Sequence, residues 1–396
     1  MKSGLDRRIV LVVLDGCGCG ASPDAQEYGD EGSHTLLHIA QAIDGFSLPN
    51  LARLGLGNMA DLPGIPPVAH PAGATGRLRQ RSKGKDTTTG HWELCGIVSS
   101  QPLATFPAGF PASLLDQLVA VTGRKWVGNI PISGTTVIEQ FGGHHMRTGD
   151  LIVYTSADSV LQIAAHEDVV PVEELYEIGR KARSLCDAYG IGRVIVRPFV
   201  GKPGAFVRTY NRRDFSLQPP SETVLDRLQS HGCPVVGIGK IGDIFARQGI
   251  SEDIHTEGNA DGLAKTLEVL DRLPAGLVFC NLVDFDMLYG HRRDVQGYAN
   301  ALRAFDAWLP RLFEKLRPAD GVVIVSDHGN DPTFRGTDHT REDVPLIAFG
   351  LQPPMAPDLG VRDGFGDVAQ TLCDAFGIPA WSHGTSFLGA LRLGIG

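Results

Sequence analysis

The stretch IVLVVLDG at residues 9–16 joins six consecutive apolar residues directly to an aspartate, Asp15, and a glycine. An apolar run of this length, without alternating polar residues, is typical of a strand that is buried on both faces of a parallel sheet. We therefore predict a set of buried parallel strands, because similar runs bounded by turn residues recur at residues 151–154, 194–196, 235–238, 277–282, 322–325 and 346–349.

Apolar residues at helical spacing lie between several of these runs, at residues 172–189, 222–230, 262–273 and 295–316. Alternation of strands and helices is typical of the α/β class, in which helices flank a mainly parallel sheet. Ser221 is the predicted N-cap of the helix at 222–230, because a serine side chain accepts hydrogen bonds from the free N–H groups of a helix start. The sequence therefore predicts an α/β fold.

Prolines suggest where the chain passes between separately folded units. One group of prolines begins at Pro102, and a second is the Pro-Pro pair at 219–220. We predict a core domain formed by residues 1–99 and 221–396. The residues between them, 100–220, are predicted to form an inserted domain.

The 396 residues carry 36 Lys and Arg against 45 Asp and Glu, a formal net charge of −9, without a block of five or six like charges. This balance argues against binding to nucleic acid or to anionic membranes, which both need concentrated positive charge. The composition, 42% hydrophobic and 20% charged, is that of a globular protein, and the apolar runs fall short of the ~20 residues that span a bilayer. We predict no nucleic-acid, membrane or obligate protein partner.

The N-terminal segment and the cysteines both favour a cytoplasmic location. The apolar run at residues 9–14 is shorter than the ~7 to 15 residues at the centre of a signal peptide, and no cleavage site follows it. The seven cysteines are scattered and lack the paired CxxC spacing of zinc sites or a disulfide framework. We therefore predict a cytoplasmic protein.

Carboxylates follow three of the predicted strands, at the point where each strand ends. Asp15 follows the first run, Asp284 and Asp286 follow the run at 277–282, and Asp327 follows the run at 322–325. Because ligands bind at the carboxyl ends of parallel strands, residues hundreds of positions apart can meet there. An aspartate after a strand can also be the N-cap of the next helix, and each position alone allows that interpretation.

Histidines accompany these carboxylates in three separate segments. His291 stands five residues after Asp286, His328 is adjacent to Asp327, and His339 lies in a glycine-containing loop. A mixed set of aspartates and histidines suits manganese, zinc or iron better than calcium. Three aspartates and three histidines would hold two divalent ions, whose charge exceeds that of the carboxylates. Such a site is suited to a phosphate ester, because a pair of metal ions stabilises in-line displacement at phosphorus.

Candidates for a nucleophile lie in the segment GKDTTTGHWE at residues 84–93. Threonine hydroxyls at the start of a helix can be activated by a metal ion, and a phosphate formed there would meet free backbone N–H groups. A DTTTG sequence is also a common helix cap. The metal-ligand pattern elsewhere in the chain favours the catalytic interpretation.

A different pattern, GCGCGA at residues 16–21, has the spacing G-x-G-x-x-A of dinucleotide-binding folds. The residues after it, Ser-Pro-Asp at 22–24, do not open a helix that packs on the preceding strand. No second strand that ends in an acidic residue follows at the expected distance. The sequence therefore argues against a nicotinamide site.

Five motifs together resemble the prokaryotic phosphopentomutase family of the alkaline phosphatase superfamily, and the resemblance covers nearly the whole chain. They are LDG at 14–16, GKDTTTGHWE at 84–93, NLVDFD at 281–286, GHRRD at 290–294, and DHGND with GTDHT at 327–331 and 336–340. The resemblance implies an alkaline-phosphatase-like core with a mainly parallel sheet flanked by helices. It also implies that residues 100–220 form an inserted α/β cap domain.

The resemblance implies a role for each residue of these motifs. Thr87 would be the nucleophile that carries the phosphoryl group, and Asp284 would be a supporting residue. Two Mn²⁺ ions would be bound, by Asp286, His291 and His339 in one set and by Asp15, Asp327 and His328 in the other. The residues that resemble sugar-phosphate-binding positions are Ser156, Asp158, Arg193 and Lys240.

The implied reaction interconverts α-D-ribose 1-phosphate, or 2-deoxyribose 1-phosphate, and the corresponding 5-phosphate through a phosphothreonine and a bisphosphate intermediate. Glucose 1,6-bisphosphate or ribose 1,5-bisphosphate would act as activator, and the partner is a small sugar phosphate. Alternatives are a metal-dependent phosphatase and a cofactor-independent phosphoglycerate mutase, although the latter enzymes use a serine nucleophile. A metal-stabilised binding protein without catalysis is a third alternative, but it would not need the nucleophile motif.

Overall fold

The computed structural model describes residues 6–156 and 159–394. The chain forms two compact units, of which the first consists of Met1–Pro102 and Pro219–Gly396 and the second of Leu103–Gln218. In the described part of the chain, none of the helices is long and apolar enough to cross a membrane. Asp158, one of the predicted substrate-binding residues, lies outside the described residues.

The strands of the described residues are numbered in chain order. They are β1 (Arg8–Leu14), β2 (Ala74–Leu78), β3 (Trp126–Pro131), β4 (Leu151–Thr155), β5 (Val160–His166), β6 (Arg193–Val200), β7 (Val207–Arg208), β8 (Arg213–Ser216), β9 (Val235–Ile238), β10 (Glu252–Ile254), β11 (Gly276–Leu282), β12 (Gly321–Val325), β13 (Val344–Phe349) and β14 (Asp358–Arg362). Strands β3 to β8 belong to the second unit, and the others belong to the first.

The helices are numbered in the same way. They are α1 (Ala25–Tyr28), α2 (Thr35–Ala42), α3 (Pro49–Leu54), α4 (Leu56–Met59), α5 (Thr87–Leu94), α6 (Ala112–Thr122), α7 (Gly134–Thr148), α8 (Val172–Cys186), α9 (Val224–Ser230), α10 (Ile241–Ile244), α11 (Asn259–Arg272), α12 (Val295–Lys315) and α13 (Gly366–Phe376). Helices α6 to α8 belong to the second unit. The predicted α/β class is confirmed.

The first unit is built on a sheet with the strand order β10-β9-β11-β1-β12-β13-β2-β14. The five strands from β10 to β12 are parallel, and β14 is parallel to β2. Strand β1 lies at the centre and all seven of its residues are buried, which is why its sequence is continuously apolar. Register places Leu14 beside Leu282 and Val13 beside Val325, so the carboxyl ends of β1, β11 and β12 are level.

The prediction of a parallel strand at residues 346–349 is wrong in its direction. Strand β13 is antiparallel to both β12 and β2. It follows β12 through the segment 326–343, in which there is no crossover helix. A strand that starts at the end of the sheet where the previous strand finished, without such a helix, must run antiparallel to that strand.

The prediction that Ser221 caps the following helix is also wrong. Helix α9 begins at Val224, and its N-cap is Thr223, whose hydroxyl accepts a hydrogen bond from the backbone N–H of Asp226. The Asp226 carboxylate in turn accepts from the Thr223 backbone N–H at 2.7 Å. This reciprocal capping box satisfies two backbone donors, which a cap at Ser221 would leave free.

The second unit contains a smaller mixed sheet in which the strand order is β3-β4-β5-β6-β7, with β8 paired to β6. Strands β3 and β4 are parallel, as are β5 and β6, whereas β4 and β5 are antiparallel. Separate clusters of buried apolar side chains pack on the two faces, one with α6 and α8 and the other with α7. The unit therefore has a core of its own.

Candidate active site

One cluster of ligating side chains lies at the carboxyl ends of β1 and β12, the two strands that bring it together. Asp15 follows β1 directly, and Asp327 and His328 follow β12 after one residue. His328 Nε2 lies 3.2 Å from Asp15 Oδ1 and 3.4 Å from Asp327 Oδ2, and all three side chains are buried. Each offers one ligand atom, and these atoms lie within 4.8 Å of one another, which is suitable for one metal ion.

A second cluster lies beside the first and depends on a π-helical turn at Phe285–Gly290. In this turn the N–H of His291 donates to the carbonyl of Asp286 at 3.0 Å, five residues back. The wide turn brings the two side chains together, with His291 Nε2 3.3 Å from Asp286 Oδ2. His339 Nε2 lies 3.3 Å from Asp286 Oδ1 and 3.1 Å from His291 Nε2. The His328 and His339 rings are 4.1 Å apart, so the clusters adjoin.

The hydrogen bonds of the imidazole rings show that these residues suit a cation. His291 Nδ1 donates to the carbonyl of Thr337 at 2.7 Å, and His328 Nδ1 donates to that of Gly329 at 3.1 Å. Since carbonyl oxygens only accept, each Nδ1 carries a proton. Each Nε2 faces carboxylate oxygens and offers a lone pair there once it has lost its own proton to an incoming metal ion. Asp327 Oδ2 is buried and faces the His91 and His328 rings at 3.1 and 3.4 Å, but no described residue makes a well-directed hydrogen bond to it. These facing acceptors fit divalent metal ions.

In the metal-free protein, the charged side chains of the two clusters shift one another's pKa values. Burial and the neighbouring Asp327 carboxylate raise the pKa of Asp15. Burial opposes the charged forms of Asp327 and Asp286. At Asp327, His328 and His91 together outweigh it and lower the pKa to about 2, and at Asp286 the neighbouring histidines, chiefly His339, together lower the pKa well below its usual value. The carboxylates likewise outweigh burial at His328 and raise its pKa well above the usual value.

Asp284, which the sequence could not separate from Asp286 by spacing, is outside both clusters. Its carboxylate accepts a hydrogen bond from the backbone N–H of Asn259 at 2.6 Å. The Asn259 side chain accepts in return from the Asp284 backbone N–H at 2.9 Å. Asp284 therefore fastens the start of α11 to the end of β11.

Thr87 is the first residue of α5, and its hydroxyl lies within the first cluster. Its Oγ1 is 3.2 Å from His328 Nε2 and 3.4 Å from Asp15 Oδ1. The N-cap of the helix is Asp86, whose carboxylate accepts from the Thr89 backbone N–H at 3.0 Å and from the Thr89 hydroxyl at 2.6 Å. The DTTTG segment is thus a helix cap as well as a source of a hydroxyl beside candidate metal ligands.

The predicted substrate-binding residues are divided between the two units. Ser156 follows the end of β4, and Arg193 begins β6 at the same end of the second unit's sheet, paired in register with Val160 of β5. Lys240 belongs to the first unit, where it follows β9 and is the N-cap of α10. These placements put Ser156 and Arg193 at the same end of the second unit's sheet, on strands separated by β5.

Comparisons with known proteins agree with this geometry. A family model described as the Metalloenzyme superfamily matches residues 7–380. The chain is 54% identical over 391 residues to phosphopentomutase from Anaeromyxobacter sp. strain Fw109-5, with 97% of this chain and 99% of the relative covered. It is 53% identical over 390 residues to the phosphopentomutase of Anaeromyxobacter sp. strain K, with the same coverage.

The chain belongs to the phosphopentomutase family. Members of this family are isomerases, and the resemblance stated from the sequence motifs is confirmed. Among solved structures, phosphoglycerate mutase from Leishmania mexicana is similar, with 14% identity, a TM-score of 0.49, and coverage of 96% of this chain and 97% of that one.

Two buried residues of this phosphopentomutase family member, His91 and Asn281, support the first cluster and were not assigned by sequence reasoning. His91 Nδ1 is 2.8 Å from the carbonyl of Thr87 and 3.1 Å from Asp327 Oδ2. Asn281 Nδ2 donates to Asp15 Oδ2 at 2.9 Å and lies 3.4 Å from His91 Nε2. The four-residue spacing of Thr87 and His91 on one helix, and a lone amide inside the apolar run of β11, were the available signals.

Lys85 joins the segment before α5 to the loop that carries His339. Its ammonium group donates to the Asp30 carboxylate at 2.9 Å and to the carbonyl of His339 at 2.7 Å, and Asp338 Oδ2 is 3.3 Å away. Lys85 contacts the backbone carbonyl of His339, so it holds the loop and leaves the His339 imidazole available to bind a metal ion. Lys85 therefore connects the segment before the Thr87 helix to the loop that carries His339 of the second cluster.

Replacing Asn281 by alanine is expected to weaken Mn²⁺ binding about tenfold, because hydrogen bonds that orient a ligating carboxylate typically contribute 10 to 100-fold to metal affinity. Calorimetric titration of metal-free protein with MnCl₂ measures this. Asn259→Ala is the matched control, because it removes an asparagine bonded to Asp284, outside both clusters. Equal affinities of wild type and Asn281→Ala would contradict the expectation.

Mn²⁺ affinity is expected to increase with pH. Carboxylates raise the pKa of His328 well above its usual value in the metal-free protein, so the ring is protonated at neutral pH and a metal ion must displace that proton. Below this pKa, the apparent affinity should rise up to about tenfold per pH unit. Titrations at several pH values, in buffers with different ionisation enthalpies, measure both the affinity and the released protons. Affinity that does not change with pH would show that His328 is already neutral.

Proposed function

We propose that the protein is a phosphopentomutase that interconverts α-D-ribose 1-phosphate, or 2-deoxyribose 1-phosphate, and the corresponding 5-phosphate. The observation that carries this proposal is the position of the Thr87 hydroxyl, at a helix N-terminus and within 3.4 Å of two candidate metal ligands. Relatives that are 53–54% identical over nearly the full length and are named phosphopentomutase support the substrate class.

The reaction proceeds through a phosphothreonine at Thr87. In the first step the 5-hydroxyl of ribose 1-phosphate attacks the phosphorus, the bond to Thr87 Oγ1 breaks, and ribose 1,5-bisphosphate forms. The sugar hydroxyl loses its proton and the threonine oxygen regains one. In the second step Thr87 Oγ1 attacks the 1-phosphate of the bisphosphate, which releases ribose 5-phosphate and restores the phosphothreonine. Glucose 1,6-bisphosphate or ribose 1,5-bisphosphate primes the enzyme by giving its phosphoryl group to Thr87.

Two Mn²⁺ ions would be held by the two clusters, with Asp286, His291 and His339 in one and Asp15, Asp327 and His328 in the other. When bound, such ions stabilise negative charge on the transferring phosphoryl group and lower the pKa of the attacking hydroxyl. The protein contributes the first backbone N–H groups of α5, which have no acceptor within the helix and would donate to the oxygens of a phosphoryl group on Thr87.

Residues 100–220 act as a cap that keeps water from the phosphothreonine. Water and the sugar hydroxyl compete for the same phosphoryl group, and a site open to water would work as a phosphatase. Ser156, Asp158 and Arg193 of the cap and Lys240 of the core hold the sugar phosphate. A cytoplasmic location stays a prediction, which fractionation of cells tests.

Phosphorus NMR tests the function directly. Purified protein is incubated with Mn²⁺, a trace of glucose 1,6-bisphosphate and ribose 1-phosphate, and the growing signals are followed. Growth of the ribose 5-phosphate signal is expected. If only the inorganic phosphate signal grows, the protein is a phosphatase and not a mutase. If no signal changes, ribose 1-phosphate is not a substrate. A parallel sample with chelator controls for chemical hydrolysis of the sugar phosphate.

A further inference from the structure

The second unit has a group of arginines at one edge of its sheet, on strands unrelated to the metal clusters. Arg197 lies on β6, Arg208 on β7, and Arg212 directly precedes β8, and β6 pairs with both neighbours. Burial lowers the pKa of Arg197, and the positive charges of Arg212 and Arg208 lower it further. Arg212 pairs with the Asp214 carboxylate at 2.6 Å, but among the described residues Arg197 and Arg208 are in no ion pair.

A tyrosine hydroxyl lies at the base of this arginine cluster. Tyr154 of β4 is 0% exposed, and its Oη makes no hydrogen bond within the described residues. Its neighbour across the sheet, Gln162, accepts from Arg197 Nε at 2.9 Å. A buried hydroxyl without a partner is costly and rare, which indicates that a polar group missing from the folded chain itself completes the site.

The N-terminus of α7 meets the same point. A Cβ atom on Gly134, the first residue of this 15-residue helix, would lie 2.7 Å from Tyr154 Oη and 3.1 Å from Arg208 Nη1. Ser133 caps the helix by accepting from the Thr136 backbone N–H, while the N–H groups of the first two helical residues have no acceptor inside the helix. The helix dipole adds partial positive charge at this end.

We propose that Tyr154, Arg208 and the first residues of α7 bind the phosphate group of a phosphate monoester. The site offers a phenol hydroxyl, an unpaired guanidinium group and backbone N–H groups, which are all donors and suit an oxyanion. Three free phosphate oxygens can accept from all three kinds of donor at once. Arg208 is exposed, so an anion can reach it from solvent. The identity of the ester as a pentose phosphate rests on the function proposed above.

Calorimetric titration of the metal-free full-length protein with ribose 5-phosphate tests the site, because it removes metal-dependent binding near Thr87 and the variants below leave Arg193 and Lys240 unchanged. Arg208→Gln and Gly134→Ala are each expected to weaken binding about tenfold or more, since one loses a charged donor and the other fills the space. The matched controls are Arg213→Gln, whose guanidinium lies over the Tyr176 and Phe215 rings, and Gly143→Ala in the same helix, where a Cβ has no neighbour closer than 3.8 Å.

Equal losses in the controls and the test variants, or wild-type binding in Arg208→Gln and Gly134→Ala, would overturn the proposal. Orthophosphate is titrated in parallel, and tighter binding of ribose 5-phosphate is expected. Equal affinity for the two would overturn the assignment to a sugar ester. Because this readout needs no turnover, it separates the two proposals. If both variants lose binding but the wild type has no mutase activity, the phosphate site is supported and the proposed function is wrong. If both variants bind normally and the wild type is an active mutase, the proposed function is supported and the phosphate site is wrong.

Discussion

Replacing Thr87 by alanine is expected to abolish phosphoprotein formation and to lower mutase turnover by about four orders of magnitude or more, because the variant has no oxygen to carry the phosphoryl group. The hydroxyl is partly exposed at the start of α5 and the helix is capped by Asp86, so the fold should persist. Mass spectrometry of protein treated with glucose 1,6-bisphosphate measures the phosphorylation, and phosphorus NMR measures the turnover.

Thr88→Ala is the matched control for this experiment. It removes the same hydroxyl one residue further along the helix, where no hydrogen bond of the side chain is seen among the described residues. We expect it to keep phosphorylation and most of the turnover. Phosphate that still appears on the Thr87→Ala protein would show that another residue is the nucleophile, and peptide mapping would locate it.

Replacing His328 by alanine is expected to lower turnover by about a thousandfold or more and to weaken Mn²⁺ binding strongly, because removal of a ligand disturbs both ions and the nucleophile. His328 can contribute to either cluster and lies 3.2 Å from the Thr87 hydroxyl. Steady-state kinetics with added MnCl₂ and calorimetric titration measure the two effects.

The loss of His328 also leaves the Asp15 and Asp327 carboxylates facing each other without a counter-charge, which destabilises the metal-free protein. His328→Gln, which keeps most of the side-chain volume, therefore accompanies the alanine variant, and thermal unfolding checks that both are folded. His231→Ala is the control, because that ring is exposed at the end of α9 and bonds only to its own helix turn. A folded His328→Gln enzyme with wild-type metal affinity and turnover would contradict the assignment.

The strand ends were predictable because their sequence signals are local. A run of apolar residues that stops at an aspartate indicates both a strand and the carboxyl end at which a ligand can bind. The register of β1 with β11 and β12 then places these carboxyl ends side by side. The direction of β13 was not predictable in this way, since a buried antiparallel strand is as apolar as a parallel one. The same limit applies to Thr223, because Ser221 and Thr223 are both good caps and packing decides between them.

The supporting residues of the site escaped prediction for a different reason. His91 and Asn281 each contact residues that lie far away along the chain, such as Asp327 and Asp15. Spacing in the sequence reports neighbours on one helix or strand, but it does not report contacts between elements. Asp284 and Asp286 were equivalent on spacing alone, and only the backbone of the turn that follows distinguishes them.

The π-helical turn at Phe285–Gly290 makes chain length itself a functional property of this segment. In an α-helix, a residue five positions on points about 140° away, so Asp286 and His291 would diverge. If the same residues closed as an ordinary α-helical turn, every side chain would still be present, but the pair would no longer be aimed at one point. The five-residue spacing of these two ligands therefore depends on the wide turn, and a change of backbone conformation from π to α would separate the pair without removing either ligand.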